Sequence, residues 1–370
     1  MPTPKITKKI DTIVYIRPIE KCNLRCQHCF IPPNPATMSD EQILSIPRQL
    51  SDAGVTTNVL LQWHGGEPLL IDPSRCKRLI IGLNANKQGI NFLHGVQTNL
   101  VVLRNFSKKK RDEWYQVLST YFESDLIGVS WDVDIRGVNL AKGCFYSYFE
   151  QEIKRFRKSR YFVNGFEPTL TITAAKPFLD IAKTFKTSME FFKWLERISL
   201  NKIHIEKLTP TGDAVKNWNE IGVSHLEYSK AMGKFYLAYR RYKALHPESK
   251  LAISPFCDLE DAIKTGEQDN VCASGACQTS MFTFSKKGMI KTCTAIAEHS
   301  ETQLENYQNK VKASCFECEF NPICNGGCPA HGNVIDASGE CSGAYQLLQT
   351  IKQTNNNKQT IKNINTGELL

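Results

Sequence analysis

The chain has 370 residues, more than one hydrophobic core ordinarily serves, so a large domain followed by a smaller one is the first expectation. Its hydrophobic share of 41% against 22% charged residues is that of a globular protein, and no run approaches the roughly 18 apolar residues of a membrane span. A net charge of +9 is scattered along the chain, with Lys108–Arg111 the one dense run and no nucleic-acid motif beside it, so neither nucleic acid nor membrane is expected as a partner.

In chain order, β-rich runs at Thr12–Ile16, Val59–His64, Ile90–Thr98, Leu126–Trp131, Glu167–Thr173 and Lys202–Lys207 alternate with amphipathic stretches near Ser39–Ala53, Pro73–Lys87, Ser107–Tyr121, Phe145–Lys158 and Asp180–Ser199. This βαβ rhythm implies a parallel sheet. The expected fold class is α/β, a partial (β/α)6 TIM-like barrel followed by a small Cys-rich domain. The expected units are a core over residues 1–223, a helical linker over 224–271 with a helix at Ser224–Leu245 and a break at Pro247–Pro255, the Cys-rich domain over 272–345, and a polar C-terminal tail over 346–370. In barrels of this kind, catalytic groups sit at the C-terminal ends of the strands.

Cysteine carries the chemistry. Fourteen cysteines without an apolar signal segment behind the basic Met1–Lys9 stretch point to a reducing cytoplasm, where thiols serve metals or catalysis rather than disulfides. Cys22, Cys26 and Cys29 form a C-x3-C-x2-C triplet in the loop directly after the first strand. Three thiolates can hold three irons of a [4Fe–4S] cube and leave the fourth iron open, whereas structural zinc takes four protein ligands; a zinc site completed by a distant cysteine stays open on the triplet alone. One βα unit later, Gln62-Trp63-His64-Gly65-Gly66-Glu67-Pro68 closes the second strand with a double glycine, where backbone can approach a ligand and Glu67 can accept from an ammonium group.

The triplet with His28 resembles the cluster-binding loop of the radical S-adenosylmethionine (SAM) superfamily, and Gly65–Pro68 resembles that family's GGEP motif. The resemblance implies an open iron that chelates the amino and carboxylate groups of SAM, and a 5′-deoxyadenosyl radical that abstracts hydrogen from an inert C–H bond. It further implies cofactor contacts from His28, Gly65, Gly66, Glu67, Pro68, Asn99, Ser130 and Glu206. Asp132, Asp134 and Arg136 are candidate catalytic residues, with His64 and Trp131 beside them as candidate substrate contacts.

Behind the core, Cys277, Cys293, Cys315, Cys318, Cys324, Cys328 and Cys341, spaced around Gly288, are similar to the seven-cysteine SPASM signature, with Cys272 an eighth thiolate. By that resemblance Cys272, Cys277, Cys293 and Cys328 ligate one auxiliary cluster and Cys315, Cys318, Cys324 and Cys341 a second. The implied cofactors are three [4Fe–4S] clusters and SAM. Cys76 and Cys144 read as packed thiols, and Cys257 stands outside every pattern.

By the resemblance, enzymes of this build mostly modify peptides or proteins. The implied partners are therefore a precursor peptide or protein, and an external electron donor such as a flavodoxin or ferredoxin. Sulfatase-maturating enzymes of similar length carry an Asp after the cysteine matched by Cys293. Here that residue is Thr294, which favours oxidative crosslinking of a ribosomally made peptide over formylglycine formation. The short stretch before Cys22 leaves no space for a leader-binding domain, so the precursor is expected to be read by the core, the linker helix or another protein. A small-molecule radical SAM enzyme, an iron–sulfur electron-transfer module and a zinc-binding module are the competing readings.

Overall fold

The computed structural model describes residues 10–31, 33–161, 167–268, 277, 280–297 and 301–356. Its frame is a sheet of nine strands: β1 (Thr12–Ile19), β2 (Asn58–Gly65), β3 (Asn91–Thr98), β4 (Ile127–Ser130), β5 (Thr169–Ala174), β6 (Lys202–Lys207), β7 (Ala252–Ser254), β8 (Met281–Ser285) and β9 (Gly288–Ile290). They lie in the order β7-β6-β5-β4-β3-β2-β1-β8-β9. Every pair from β7 to β8 is parallel, and only β9 runs antiparallel, on β8. A parallel neighbour needs a crossover, and the amphipathic segments supply it. With β7 and β9 as free edges the sheet is open, as the partial-barrel expectation requires.

The crossover helices bury one stripe each. Pro73–Ala85 turns Cys76, Leu79, Ile80 and Leu83 inward, and Phe185–Ile198 turns in Ser188, Phe191, Phe192, Leu195 and Ile198. These i, i+3, i+4 and i+7 positions form one face of a 3.6-residue period. The inner ends of β1 and β2 supply Val14, Ile16, Leu61 and Trp63, all within a single continuous core.

Four features differ from the sequence reading. Ser39–Ala53 is two helices, Asp40–Leu44 and Ile46–Asp52, because Ser45 ends the first and Pro47 opens the second, where its missing N–H costs nothing. Asp180–Ser199 likewise divides into Lys176–Ala182 and Phe185–Ile198, with the Thr184 side chain capping the second.

The third difference is in the sheet, which gains three strands. β7 lies inside the segment read as a break. β8 lies in the Cys-rich region and is buried along its whole length, so it shows no alternation to announce it. The fourth is the tail: Tyr345–Asn356 is a helix whose Leu347, Leu348, Ile351 and Thr354 are buried, with the Leu347 N–H donating to Ser229 Oγ at 3.0 Å. Its partner is His225–Leu245, which buries Met232, Phe235, Tyr236 and Tyr239. The polar run after residue 353 masked this apolar stripe. Residues 357–370 and Cys272 lie outside the described residues.

Candidate active site

The C-terminal strand ends surround a cavity of about 390 Å³, within the range of small-molecule sites. Cys22, Cys26 and Cys29 line it from the loop after β1, and Gly65, Gly66 and Glu67 from the end of β2. Cys293, Thr294, Cys324 and Cys328 line it from the C-terminal region. One space is therefore walled by thiols from both ends of the chain.

The double glycine has a task the sequence did not disclose. A Cβ on Gly65 would stand 2.3 Å from the Ile19 carbonyl oxygen, and one on Gly66 2.2 Å from that of Lys21. The close approach is to the chain itself: the Gly66 N–H donates to Ile19 O at 3.0 Å and the Glu67 N–H to Lys21 O at 2.8 Å. The end of β2 thereby clamps the segment that leads into Cys22.

Glu67 completes the clamp. Its carboxylate accepts from the Leu69 N–H at 3.0 Å, the Thr98 hydroxyl at 2.8 Å and the Asn99 N–H at 2.8 Å, which ties β2 to β3. Both oxygens are engaged within the protein. Burial pushes the Glu67 carboxyl up to about 7 despite those donors. Pro68 is buried at the start of the short turn Pro68–Leu70. Asn99 donates to Asn23 Oδ1 at 2.9 Å and points the same amide at Cys22 Sγ, 3.9 Å away.

A second group supports the triplet from β4 and the loop after it. Asp132 is fully buried and accepts from Arg136 Nε at 2.6 Å and from the Thr173 N–H at 2.5 Å. Arg136 reaches His28 Nε2 at 3.1 Å and stands 4.0 Å from Cys26 Sγ. Burial opposes the Asp132 carboxylate, but Arg136 and His28 hold it below its ordinary value. Ser130 accepts from Gln97 Nε2 at 2.6 Å.

Asp132, buried in its ion pair with Arg136, is itself absent from the cavity wall, and two further candidates face elsewhere. Asp134 is exposed in a left-handed conformation (φ 57°), paired with the Tyr146 hydroxyl at 2.6 Å, and is absent from the cavity wall. Trp131 is packed on Trp194, Phe191 and Tyr146. Both differences have one cause: β4 stops at Ser130, short of the expected Trp131, so closeness to the strand end no longer sets which way a side chain points. His64 does line the cavity, against Tyr15 and Phe30, and burial lowers its pKa to about 4.

The three thiols suit an iron–sulfur ligand set. Burial, seconded by the Glu67 charge, pushes Cys22 up to about 12; burial does the same to Cys29 and raises Cys26. Bare, these sulfurs keep their protons, and a metal that displaces them finds donors already in place: the Leu24 N–H at 3.4 Å from Cys22 Sγ, the Asn99 amide and the Arg136 guanidinium. In the C-terminal region the thiols fall into two groups by the charge they feel. Cys328 feels Cys293 and Cys277, whereas Cys324 feels Cys341 and Cys315. Among the described residues no three His, Cys, Asp or Glu side chains are close enough to share a single metal ion.

Several polar residues at the cavity or bonded to its lining escaped the sequence reading. Arg17 on β1 is buried and donates to Thr294 through Nε at 2.9 Å and Nη2 at 2.6 Å to Oγ1, and at 2.8 Å to the carbonyl. Lys207 is bonded to His225 beneath the C-terminal region. His204 on β6 is flanked by Glu206 and Ser254. The available signal was alternation: Thr169, Thr171 and Thr173 on β5 and Lys202, His204 and Glu206 on β6 are polar at every second position, although helices cover the sheet's other face.

An open parallel sheet with a thiol loop after its first strand, facing a cavity at the strand ends, is the architecture of radical SAM enzymes. No family model matches the sequence. The chain is 26% identical, over an alignment 388 positions long with gaps counted, to a serine-type anaerobic sulfatase-maturating enzyme of Bacteroides thetaiotaomicron, covering 91% of this chain and 89% of that one. Its fold is shared with anSMEcpe bound to AdoMet and the Cp18Cys peptide (TM-score 0.66, 17% identity, 96% of this chain and 99% of that one). SuiB of Streptococcus suis bound to S-adenosylmethionine also shares it (TM-score 0.53, 14% identity, 90% and 77%). In sequence and in fold the chain is similar to radical SAM enzymes of the group that includes the sulfatase and peptide maturases. Among the described residues no helix is long and apolar enough to cross a membrane.

Proposed function

We propose that this chain is a maturase that oxidatively crosslinks a ribosomally made peptide. In this reading Cys22, Cys26 and Cys29 hold the catalytic [4Fe–4S] cluster, and SAM lies between it and His28, Gly65, Gly66, Asn99 and Ser130. Cys277, Cys293 and Cys328, with Cys272, hold one auxiliary cluster, and Cys315, Cys318, Cys324 and Cys341 the other. A flavodoxin or ferredoxin supplies the electron. Cluster and SAM together supply hydrogen-atom abstraction from an unactivated C–H bond. The chain's own contribution is placement: the Gly65–Glu67 clamp and the Asp132–Arg136–His28 group fix the thiol loop against the cavity, and apolar walls exclude water.

The observation that carries this reading is Thr294. It lines the cavity where the sulfatase maturases carry an Asp, and its hydroxyl oxygen accepts two N–H groups of Arg17. A neutral oxygen facing a guanidinium is no proton acceptor. Formylglycine formation is the second reading, favoured by the likeness to the Bacteroides enzyme along 91% of this chain. The two separate in one experiment: anaerobically reconstituted enzyme, SAM, a reductant, and short synthetic peptides carrying Cys, Ser and aromatic residues, with products read by mass spectrometry and a hydrazide reagent. A peptide that loses two hydrogens and fragments as a ring supports crosslinking, and a hydrazone-forming aldehyde supports formylglycine. No 5′-deoxyadenosine at all would remove both.

A further inference from the structure

Four polar side chains run in line from the cavity into the helix Phe256–Thr265; only the first, Glu206, is a candidate cofactor contact, and neither cluster nor cofactor binding accounts for the other three. The parallel register places His204 on β6 beside Ser254 on β7, and Thr173 on β5 beside Glu206. Period two sends His204 and Glu206 to the same face, and both line the cavity. Glu206 Oε1 lies 3.1 Å from His204 Nε2, His204 Nδ1 lies 3.1 Å from Ser254 Oγ, and the Ser254 hydroxyl donates to Asp258 Oδ2 at 2.5 Å. Glu206 keeps 57% of its side chain accessible, toward the cavity, while His204 behind it keeps 30%.

The donor directions fix where the protons are. Because the Ser254 hydrogen goes to Asp258, the Ser254 oxygen must accept, so His204 Nδ1 carries a hydrogen. His204 Nε2 then meets a carboxylate oxygen, and one proton has to lie between them, on the imidazole or on Glu206. Burial works against a charged imidazole, but the bonded Glu206 and the Asp258 charge raise His204 above its ordinary value; Glu206, also opposed by burial, is lowered by His204. The other charged or titratable groups that bear on Glu206 are His64 and Asp132, with Tyr228, Cys293 and Cys328 affected in turn.

We propose that Glu206 is the proton acceptor for the substrate and that His204, Ser254 and Asp258 form the relay that carries the proton out of the cavity. This deepens the maturase reading and rests on it for the identity of the substrate. In the step, an X–H bond of the peptide breaks heterolytically: its electron pair stays on X and an O–H bond forms on Glu206. As Glu206 is neutralised, His204, which already holds a proton at Nε2, gives its Nδ1 hydrogen to Ser254 and Ser254 gives its own to Asp258, so one proton leaves the substrate, one arrives at Asp258 and His204 is left neutral with hydrogen on Nε2. Glu206 and His204 thus do the work for which Thr294 lacks the chemistry. Ser254 and Asp258 are positioning residues, since they act through His204.

The test has a readout independent of turnover. In full-length, anaerobically reconstituted protein labelled with [15N]histidine, with the His204 signals identified by their loss in His204→Asn, both ring nitrogens should be protonated at pH 7. Glu206→Gln should weaken the proton affinity of His204 at least tenfold, and Ser254→Ala should remove the preference for hydrogen on Nδ1. A neutral His204 that ignores Glu206→Gln, or an Nδ1 signal unmoved by Ser254→Ala, overturns the relay. With the probe peptides above, Ser254→Ala should also shift the pH profile of oxidised peptide formed per 5′-deoxyadenosine and lower that ratio about tenfold; an unshifted profile overturns the acceptor role. Absence of 5′-deoxyadenosine from the wild type would instead remove the maturase reading while the histidine spectra still decide the relay.

Discussion

Cys22, Cys26 and Cys29 lie within eight residues of one another, and the chain that carries them is pinned by backbone bonds from the neighbouring strand end. Cys315, Cys318, Cys324 and Cys341 span a longer segment with few regular elements, packed on two small apolar groups: Ala262, Phe320, Ile323 and Leu348 in one, Tyr307, Cys315 and Val334 in the other. The first region borrows the rigidity of a large sheet. The second has little core of its own, so bound metal is expected to be part of what folds it. The difference teaches that equal ligand chemistry does not imply equal dependence on the metal.

The largest expected effect strikes the first region alone. Replacing Cys22, Cys26 and Cys29 together by Ala should abolish 5′-deoxyadenosine formation and remove roughly four irons per chain, one cube's worth, while the C-terminal iron stays. Iron quantitation with chromatography of the nucleoside checks it. Unchanged SAM cleavage would leave the triplet without its role.

Next in size is Cys318→Ala. A soluble variant should retain part of its 5′-deoxyadenosine formation and lose oxidised peptide, both measured in one anaerobic reaction, with a lower melting temperature than the triple variant. Full peptide oxidation by a variant shown to lack about four irons would reduce the second auxiliary cluster to a structural element.

Two glycines sharpen the contrast further. Gly66→Ala would press its Cβ to 2.2 Å from the Lys21 carbonyl oxygen, backbone that cannot swing aside, at a cost on the order of 3 kcal/mol. Gly343→Ala would meet Cys324 Sγ at 2.1 Å, the tip of a side chain that can turn away. Denaturant unfolding of the metal-free proteins should therefore show Gly66→Ala much the weaker, whereas iron content should fall in Gly343→Ala by about one cube. Equal destabilisation of both would erase the proposed difference in rigidity.

The smallest effect probes the sheet beneath the thiol loop. The Trp63 indole on β2 donates to His94 Nδ1 on β3 at 3.2 Å, and burial lowers His94 to about 4. Between pH 6.5 and 4 the unfolded chain binds this proton and the folded chain does not, so stability falls as the pH falls through that window. The full loss is on the order of 3 kcal/mol, of which only part is reached by pH 5. His94→Gln should flatten that part of the profile relative to wild type in paired unfolding curves, and parallel curves would mean that His94 is already charged.

What was legible in the sequence was local. Six strands, the triplet and Gly65–Pro68 could be read because each is one short segment with its own period or spacing. β8 could not, since a strand buried on both faces in a Cys-rich stretch has no alternation. Asp134 shows the opposite failure: a polar residue near a strand end was assigned to the cavity, although the strand had stopped four residues earlier and the backbone had turned left-handed. Glu67 was expected to accept from an ammonium group; within the protein its carboxylate accepts from Leu69, Thr98 and Asn99.

The sequence by itself determined the α/β class, the thiol inventory and the segment that bears the triplet, because spacing along a chain limits what a loop or a strand can present. Only the tertiary structure decided that Arg17 would hold Thr294, 277 residues away, and that His204 would stand between Glu206 and Ser254. Those contacts depend on the register of parallel neighbours joined by long crossovers. Register is set by the packing of the whole sheet against its helices, not by any pattern within the segments themselves.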